Sequence, residues 1–223
     1  MSWFEGTVLV HALAGGAALL SMVVPIVSAK GGQIHRLSGR FYAASMAVVV
    51  SLAWVVIAAR VAGGDAEGPL FLGLVGALAG ASVWSGWRVR SERGRTGPHT
   101  NPLDRGVQTS LAAVGAAGVA WGAWTTNPLF LAFGGLCAWR GASELRAMAA
   151  PPTDGRAWLR RHLAGMLAGC IATTTAFLVV NVARFPPALR GALPGWAWWL
   201  LPTAVGVPLI VGWSRRYSPP PAS

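Results

Sequence analysis

The chain contains seven runs of about 20 mostly apolar residues, which is the length that an α-helix needs to cross a lipid bilayer. The runs lie near 7–29, 41–62, 69–87, 107–125, 128–146, 162–183 and 195–213. Backbone groups cannot stay unpaired in lipid, so segments of this kind fold as helices. The sequence therefore predicts an all-α fold: a polytopic transmembrane helix bundle with seven spans, formed by residues 1–214 as one domain.

The amino-acid composition is also that of a membrane protein. The chain is 54% hydrophobic and 11% charged, with a mean hydropathy of +0.52, whereas soluble domains are about 25% charged. The net charge is +11, but the arginines lie between the apolar runs and form no single basic face. This distribution excludes nucleic acid as a partner and indicates membrane lipid instead.

The basic residues predict the orientation of the spans, because Lys and Arg collect in cytoplasmic loops. One alternate set of connecting segments holds fifteen of the eighteen: Lys30, Arg36, Arg40, Arg88, Arg90, Arg93, Arg95, Arg105, Arg140, Arg146, Arg156, Arg160, Arg161, Arg215 and Arg216. The other set holds only Arg60, Arg184 and Arg190. We therefore expect the N-terminus outside and the C-terminus inside, with 215–223 as a short cytoplasmic tail. The first span has no preceding basic residue and is too long for a signal peptide, so it is expected to be retained.

The sequence contains no motif for soluble-type hydrolysis or nucleotide chemistry. Cys137 and Cys170 lie inside apolar runs, without the spacing of a zinc site, and are interpreted as small apolar side chains. Asp104 is interpreted as a helix-start residue that caps the fourth span. Arg140 and Glu144, four residues apart, are expected to pair with each other. Whether the protein is an enzyme is left open.

Glycine spacing predicts which helix faces are buried, since small residues let membrane helices approach closely. The pairs are Gly76 and Gly80, Gly118 and Gly122, and Gly165 and Gly169. His162 lies on the same face as Gly165 and Gly169, and His11 shares its face with small residues of the first span. Both imidazoles are therefore expected to point into the bundle, where an ionisable group suggests a functional site or a bond to a neighbouring helix.

The stretch "KGGQIHRLSGRFY", residues 30–42, places a third histidine among basic residues between the first two spans. Lys30, Arg36 and Arg40 are explained by topology and by contact with lipid phosphate groups. His35 is not explained in this way, because an imidazole adds little to a positive-inside signal.

Three segments resemble a bacterial family of small membrane proteins known only as domain of unknown function twenty-three-oh-six. They are "HALAGGAALL", "KGGQIHRLSGRFY" and "RHLAGMLAGCIATTTAFLVVN". The most specific positions are His35, Arg36, Gly39, Arg40, His162, Met166, Thr174, Ala176, Phe177 and Asn181. The resemblance implies a multi-pass protein of the bacterial cytoplasmic (inner) membrane, and it implies no particular reaction.

The first functional hypothesis is a b-type haem. His35 and His162 are both predicted at the cytoplasmic side, where two facing imidazoles are able to act as axial ligands of haem iron. Arg36 and Arg40, together with Arg160 and Arg161, lie at the level where they would pair with propionates. Against this, His35 is expected in or beside a loop, outside the regular part of the second span.

A quinone or another lipid-soluble ligand is the second hypothesis, because it needs only one histidine donor and an apolar slot. His162 with Thr173 and Thr174 is one candidate slot. His11 with Asn181, at the outer side, is the other.

Two further classes of function stay open. Pro202, Gly206 and Pro208 interrupt the seventh span and suggest a transport pathway, although kinks are the simpler interpretation. A non-catalytic subunit or scaffold, working with a membrane-protein partner or as a homo-oligomer, is equally compatible with the absence of motifs.

Overall fold

The computed structural model describes residues 1–218, and residues 219–223 of the expected cytoplasmic tail lie outside the described part. Residues 1–218 contain helices and no strand. The helices are α1 (Trp3–Val27), α2 (Gln33–Ala62), α3 (Glu67–Arg88), α4 (Pro102–Thr125), α5 (Pro128–Ala149), α6 (Ala157–Asn181), α7 (Pro187–Arg190) and α8 (Gly195–Arg216). Short 3-10 turns follow α3 at Val89–Glu92 and α6 at Val182–Arg184.

Each of the seven apolar runs lies in one of the seven long helices. Five of these, namely α1, α2, α3, α6 and α8, are long and apolar enough to cross a membrane, as judged by length and composition. The other two, α4 and α5, carry Gln108, Arg140 and Glu144 in their interiors, which lowers their hydropathy. The fold is thus all-helical, with the several long apolar helices of a multi-pass membrane protein.

The helices are arranged around α3. About 56% of the apolar part of α3 is buried, compared with 6% for α1 and 6% for α8, whose apolar side chains face outward. Four helices, α1, α2, α3 and α6, form a ring in which α2 and α6 face each other across the interior. Its core is Ala18, Tyr42, Met46, Ala79, Val83, Cys170 and Ala172. The hairpin of α4 and α5 packs against α3, and α8 packs against α6.

Two helix pairs approach backbone to backbone through glycine. A Cβ atom added to Gly141 of α5 would lie 2.6 Å from the Gln108 carbonyl oxygen of α4, and one added to Gly165 of α6 would lie 2.7 Å from the Gly86 nitrogen of α3. Of the predicted pairs, Gly122 and Gly165 lie at such backbone contacts. Gly80, Gly118 and Gly169 instead pack against side chains of neighbouring helices, namely Val50, Leu74 and Val83. Gly76 does not, because the space at its Cβ position is open.

The N-terminus of α4 is capped by Asn101. Its side-chain oxygen accepts hydrogen bonds from the backbone nitrogens of Leu103 at 3.0 Å and Asp104 at 3.2 Å. The prediction that Asp104 itself caps this helix was wrong, because Asp104 lies inside the first turn. Its carboxylate instead turns back toward α3.

Replacing Asn101 with alanine is expected to lower the free energy of unfolding by about 1 kcal/mol, because two backbone N–H groups lose their acceptor. Denaturant-induced unfolding in detergent micelles measures this change. Asn101→Asp is the control, since aspartate caps a helix about as well as asparagine. If the free energy of unfolding falls equally in the alanine and aspartate variants, the cap does not stabilise α4.

Candidate functional site

His35, predicted in or beside a loop, lies in the first turn of α2, directly after the connection from α1. The connection between α1 and α2 is only a tight turn, in which Gly31 adopts a left-handed φ of 76° and Gly32 precedes the first helical residue. Lys30 and Arg36 close this turn. Lys30 Nζ donates to the Pro25 carbonyl at 2.9 Å, and Arg36 donates to the Gly31 carbonyl at 2.7 Å.

The structure brings His35 and His162 together across the bundle. Their ring centroids are 6.4 Å apart and their planes are inclined at 69°. The two residues lie on α2 and α6, the helices that face each other across the four-helix ring. This pair is the candidate functional site.

Both imidazoles of the pair are held by backbone carbonyls at helix ends. His35 Nδ1 is 3.0 Å from the Pro25 oxygen and His162 Nδ1 is 2.6 Å from the Gly86 oxygen. Carbonyls in the last turn of a helix have no partner within the helix and are free to accept these bonds. Because a carbonyl only accepts, each Nδ1 carries a proton, and the neutral form of each ring therefore has its lone pair on Nε2.

Three arginines on the helices of the pair and in the turn after α3 lack acidic partners. Arg40 and Arg90 are close enough to repel each other, and the Arg90 guanidinium lies 3.7 Å from the centroid of the Trp87 ring. Arg36, Arg40 and Arg90 take part in none of the ion pairs among residues 1–218. Their charge is therefore available to an anionic group.

Arg160 and Arg161, the other two arginines expected to meet propionates, are engaged elsewhere. Arg160 pairs with Asp154, and its hydrogen bonds hold the pKa of that carboxyl at about 2. Arg161 pairs with Glu92 and Glu144. Neither is a candidate for the histidine site in this arrangement.

The two slots proposed for a lipid-soluble ligand are not assembled. Thr173 donates to the Gly169 carbonyl at 2.8 Å and lies about three helical turns from His162, too far to share one ligand with it. Thr174 likewise donates to its own helix, at Cys170.

The outer pair is separated in a similar way. His11 Nδ1 is 3.0 Å from the Val49 carbonyl oxygen of α2, which matches the bond to a neighbouring helix considered for this residue. Asn181 donates to the Phe177 carbonyl and accepts from Arg184. Neither hydrogen bond of Asn181 reaches His11.

A largely buried cluster of charges connects α3, α4, α5 and α6. It contains the predicted pair of Arg140 with Glu144 and several residues that the sequence-based prediction did not include. We call it the ion network. Its members are Arg88, Glu92, Arg95, His99, Asp104, Arg140, Glu144 and Arg161. Two pairs have a helical spacing, namely Arg140 with Glu144 and Glu92 with Arg95. The other partners are up to 69 residues apart, so sequence periodicity gives no signal for them.

Arg161 stands at the centre of the ion network. It donates through one nitrogen to Glu92, in the turn after α3, and through another to Glu144 of α5 at 2.7 Å. Arg95 reaches the same Glu92 carboxylate at 3.2 Å. The network thereby joins the turn after α3 to α5 and α6.

Asp104 closes the other side of the ion network. It accepts from Trp84 Nε1 at 2.8 Å and Arg88 Nε at 3.0 Å, and His99 Nε2 lies 2.9 Å from its second oxygen. Burial alone would raise the pKa of this carboxyl. The bonds from Arg88, His99 and Trp84 outweigh burial and hold its pKa below the usual range.

No protein-family model matches the chain, and comparisons with curated proteins and with solved structures find no match either. Membership of the family that the sequence resembles stays a prediction. Function is therefore inferred from the side chains themselves.

Proposed function

We propose that this protein binds a b-type haem between His35 and His162 in a multi-pass bundle of the bacterial inner membrane. The observation that carries the proposal is the pair of imidazoles on facing helices, each with Nδ1 bonded to a carbonyl. Bundle proteins build cofactor sites from side chains on facing helices. A metal-binding histidine commonly donates its other N–H to such a carbonyl.

The spacing of the rings would suit two side chains that bind one metal ion. A first-row metal ion lies about 2 Å from a histidine nitrogen, so two rings on one ion have centroids roughly 6 Å apart. The observed separation of His35 and His162 is 6.4 Å. Within residues 1–218 no group of three His, Cys, Asp or Glu side chains is placed to hold a bare metal ion. Haem iron needs only two ligands from the protein, because the porphyrin supplies the other four.

The surroundings of the pair also suit such a group. Gly39, one turn from His35 on the same face of α2, has open space at its Cβ position. Arg40 and Arg90 would be relieved of their mutual repulsion by propionate carboxylates, and the exposed Arg36 adds further positive charge. When bound, a haem held by two histidines supplies one-electron transfer.

The orientation is proposed from charge. The ends of the helices near His35, the ion network and Arg216 carry most of the basic residues, and we call this side the arginine-rich end. Placing it in the cytoplasm satisfies the positive-inside rule if all seven long helices span the membrane. The N-terminus then lies outside and the haem site lies near the cytoplasmic surface.

Visible absorption of the detergent-purified protein, oxidised and then reduced with dithionite, tests the proposal. We expect a Soret band with sharp bands in the reduced form when haem is supplied during expression. His35→Ala and His162→Ala should each remove one ligand and lower the bound haem several-fold. His11→Ala is the matched control, since it removes an imidazole with the same type of carbonyl bond.

A colourless protein after expression with added haem would overturn the proposal. So would equal haem content in the His35, His162 and His11 variants. Either outcome would leave a quinone-like ligand, transport or a scaffold role, which quinone binding, vesicle flux and partner pulldown would separate. For the transport alternative, α8 is a single continuous helix that contains Pro202 and Pro208, so neither proline ends the helix.

A further inference from the structure

A cleft of about 220 Å³ opens at the arginine-rich end, apart from the histidine pair. It lies between the C-terminal end of α5, the proline-containing connection that follows, and the start of α6. Its charged lining consists of Arg95, Arg160, Arg161 and Glu92, and Trp158 lies beside them. None of the four histidines of the chain lines it.

The cleft keeps a positive charge after its internal ion pairs are counted. The arginines in or directly behind it are Arg95, Arg140, Arg160 and Arg161, and the carboxylates that face them are Glu92, Glu144 and Asp154. Four positive charges thus stand against three negative ones.

Two guanidinium groups that line the cleft each have one nitrogen, buried behind the cleft wall, without a hydrogen-bond acceptor. The Nε atom of Arg161 is fully buried and has no hydrogen-bond partner, although the other two nitrogens of this guanidinium bind Glu92 and Glu144. Arg95 Nε is likewise without a hydrogen bond; Glu92 is within ion-pair distance but out of line. Buried donors of this kind ordinarily have a partner.

We infer that this cleft binds a phosphate-bearing anion. Guanidinium groups suit phosphate oxygens because of their planar, multiple donors. Basic pockets between membrane helices on the cytoplasmic side bind the head groups of anionic lipids. A phospholipid head group and a free phosphate share this chemistry, and the experiment below distinguishes them.

The inference is tested by measuring which anions bind to the detergent-purified full chain. Phosphatidylglycerol, phosphatidylcholine and inorganic phosphate are compared by native mass spectrometry and by thermal unfolding. The informative variants are Ala157→Glu and Ala157→Gln, because Ala157 lines the cleft at the first residue of α6. Both add similar bulk, and only glutamate adds a negative charge. Ala157→Glu should weaken phosphatidylglycerol binding about fivefold relative to Ala157→Gln.

Arg160→Gln should weaken binding to a similar degree, while Arg105→Gln, at an exposed position outside the cleft, should not. Binding of phosphatidylglycerol but not inorganic phosphate identifies a lipid site, and binding of both identifies a phosphate site. Equal affinity of the two Ala157 variants, equal affinity for phosphatidylcholine, or binding of neither anion would overturn the inference.

Discussion

Replacing Arg161 with glutamine is expected to lower the free energy of unfolding by about 3 kcal/mol. Its guanidinium bridges Glu92 and Glu144, whose side chains are only 6% and 5% exposed. Without Arg161 these buried carboxylates lose one positive partner each, and an undercompensated buried charge is costly. Glu92 keeps Arg95 and Glu144 keeps Arg140, which limits the loss.

Unfolding by denaturant in mixed micelles measures this effect. Arg105→Gln is the matched control, because Arg105 is exposed and removal of its charge should change the free energy of unfolding by less than about 0.5 kcal/mol. The double variant Arg161→Gln with Glu144→Gln should lose less than the sum of the single variants, since the second change removes one of the unpaired charges. If Arg161→Gln is as mild as Arg105→Gln, the ion network does not hold the helices together.

The long helices were predictable because the length and apolar character of a span are local properties of the sequence. The residues at which the helices begin and end were less predictable. Hydropathy placed the start of the second span near residue 41, whereas α2 begins at Gln33. The additional turns are mostly polar, and the bond from His35 to the Pro25 carbonyl ties them to the end of α1. Such bonds form between two helices, and a hydropathy pattern does not predict them.

The candidate site was predictable to a similar extent. Helical periodicity placed His162 on the glycine face of its helix, and the alternation of loops placed His35 at the same end of the bundle. The carbonyl partners of the two rings and the ion network around Arg161 depend on which helices are neighbours. Which helices are neighbours is set by backbone contacts such as that of Gly86 with Gly165. Glycine spacing predicts that Gly165 lies on a buried face, but it does not predict which helix packs there.

Replacing Gly165 with alanine is expected to disturb both the fold and the site. A Cβ atom at this position would lie 2.7 Å from the Gly86 nitrogen and 2.8 Å from the Ser82 carbonyl oxygen of α3. Backbone atoms cannot move aside as a flexible side chain does, so α3 and α6 must separate. Overpacking of this kind costs about 2 kcal/mol. The same separation should stretch the bond from His162 Nδ1 to the Gly86 carbonyl, now 2.6 Å.

Thermal unfolding in detergent measures the first effect. The second is measured by hydrogen exchange at the His162 imidazole N–H, followed by nuclear magnetic resonance, which needs no bound cofactor. Gly76→Ala is the matched control, because its Cβ position is open and the change should leave stability unaltered or raise it by up to about 1 kcal/mol. We expect faster exchange at His162 in Gly165→Ala and no change in Gly76→Ala. Should Gly165→Ala unfold at the wild-type temperature with His162 equally protected, α3 and α6 are not in backbone contact and the imidazole pair is positioned by other means.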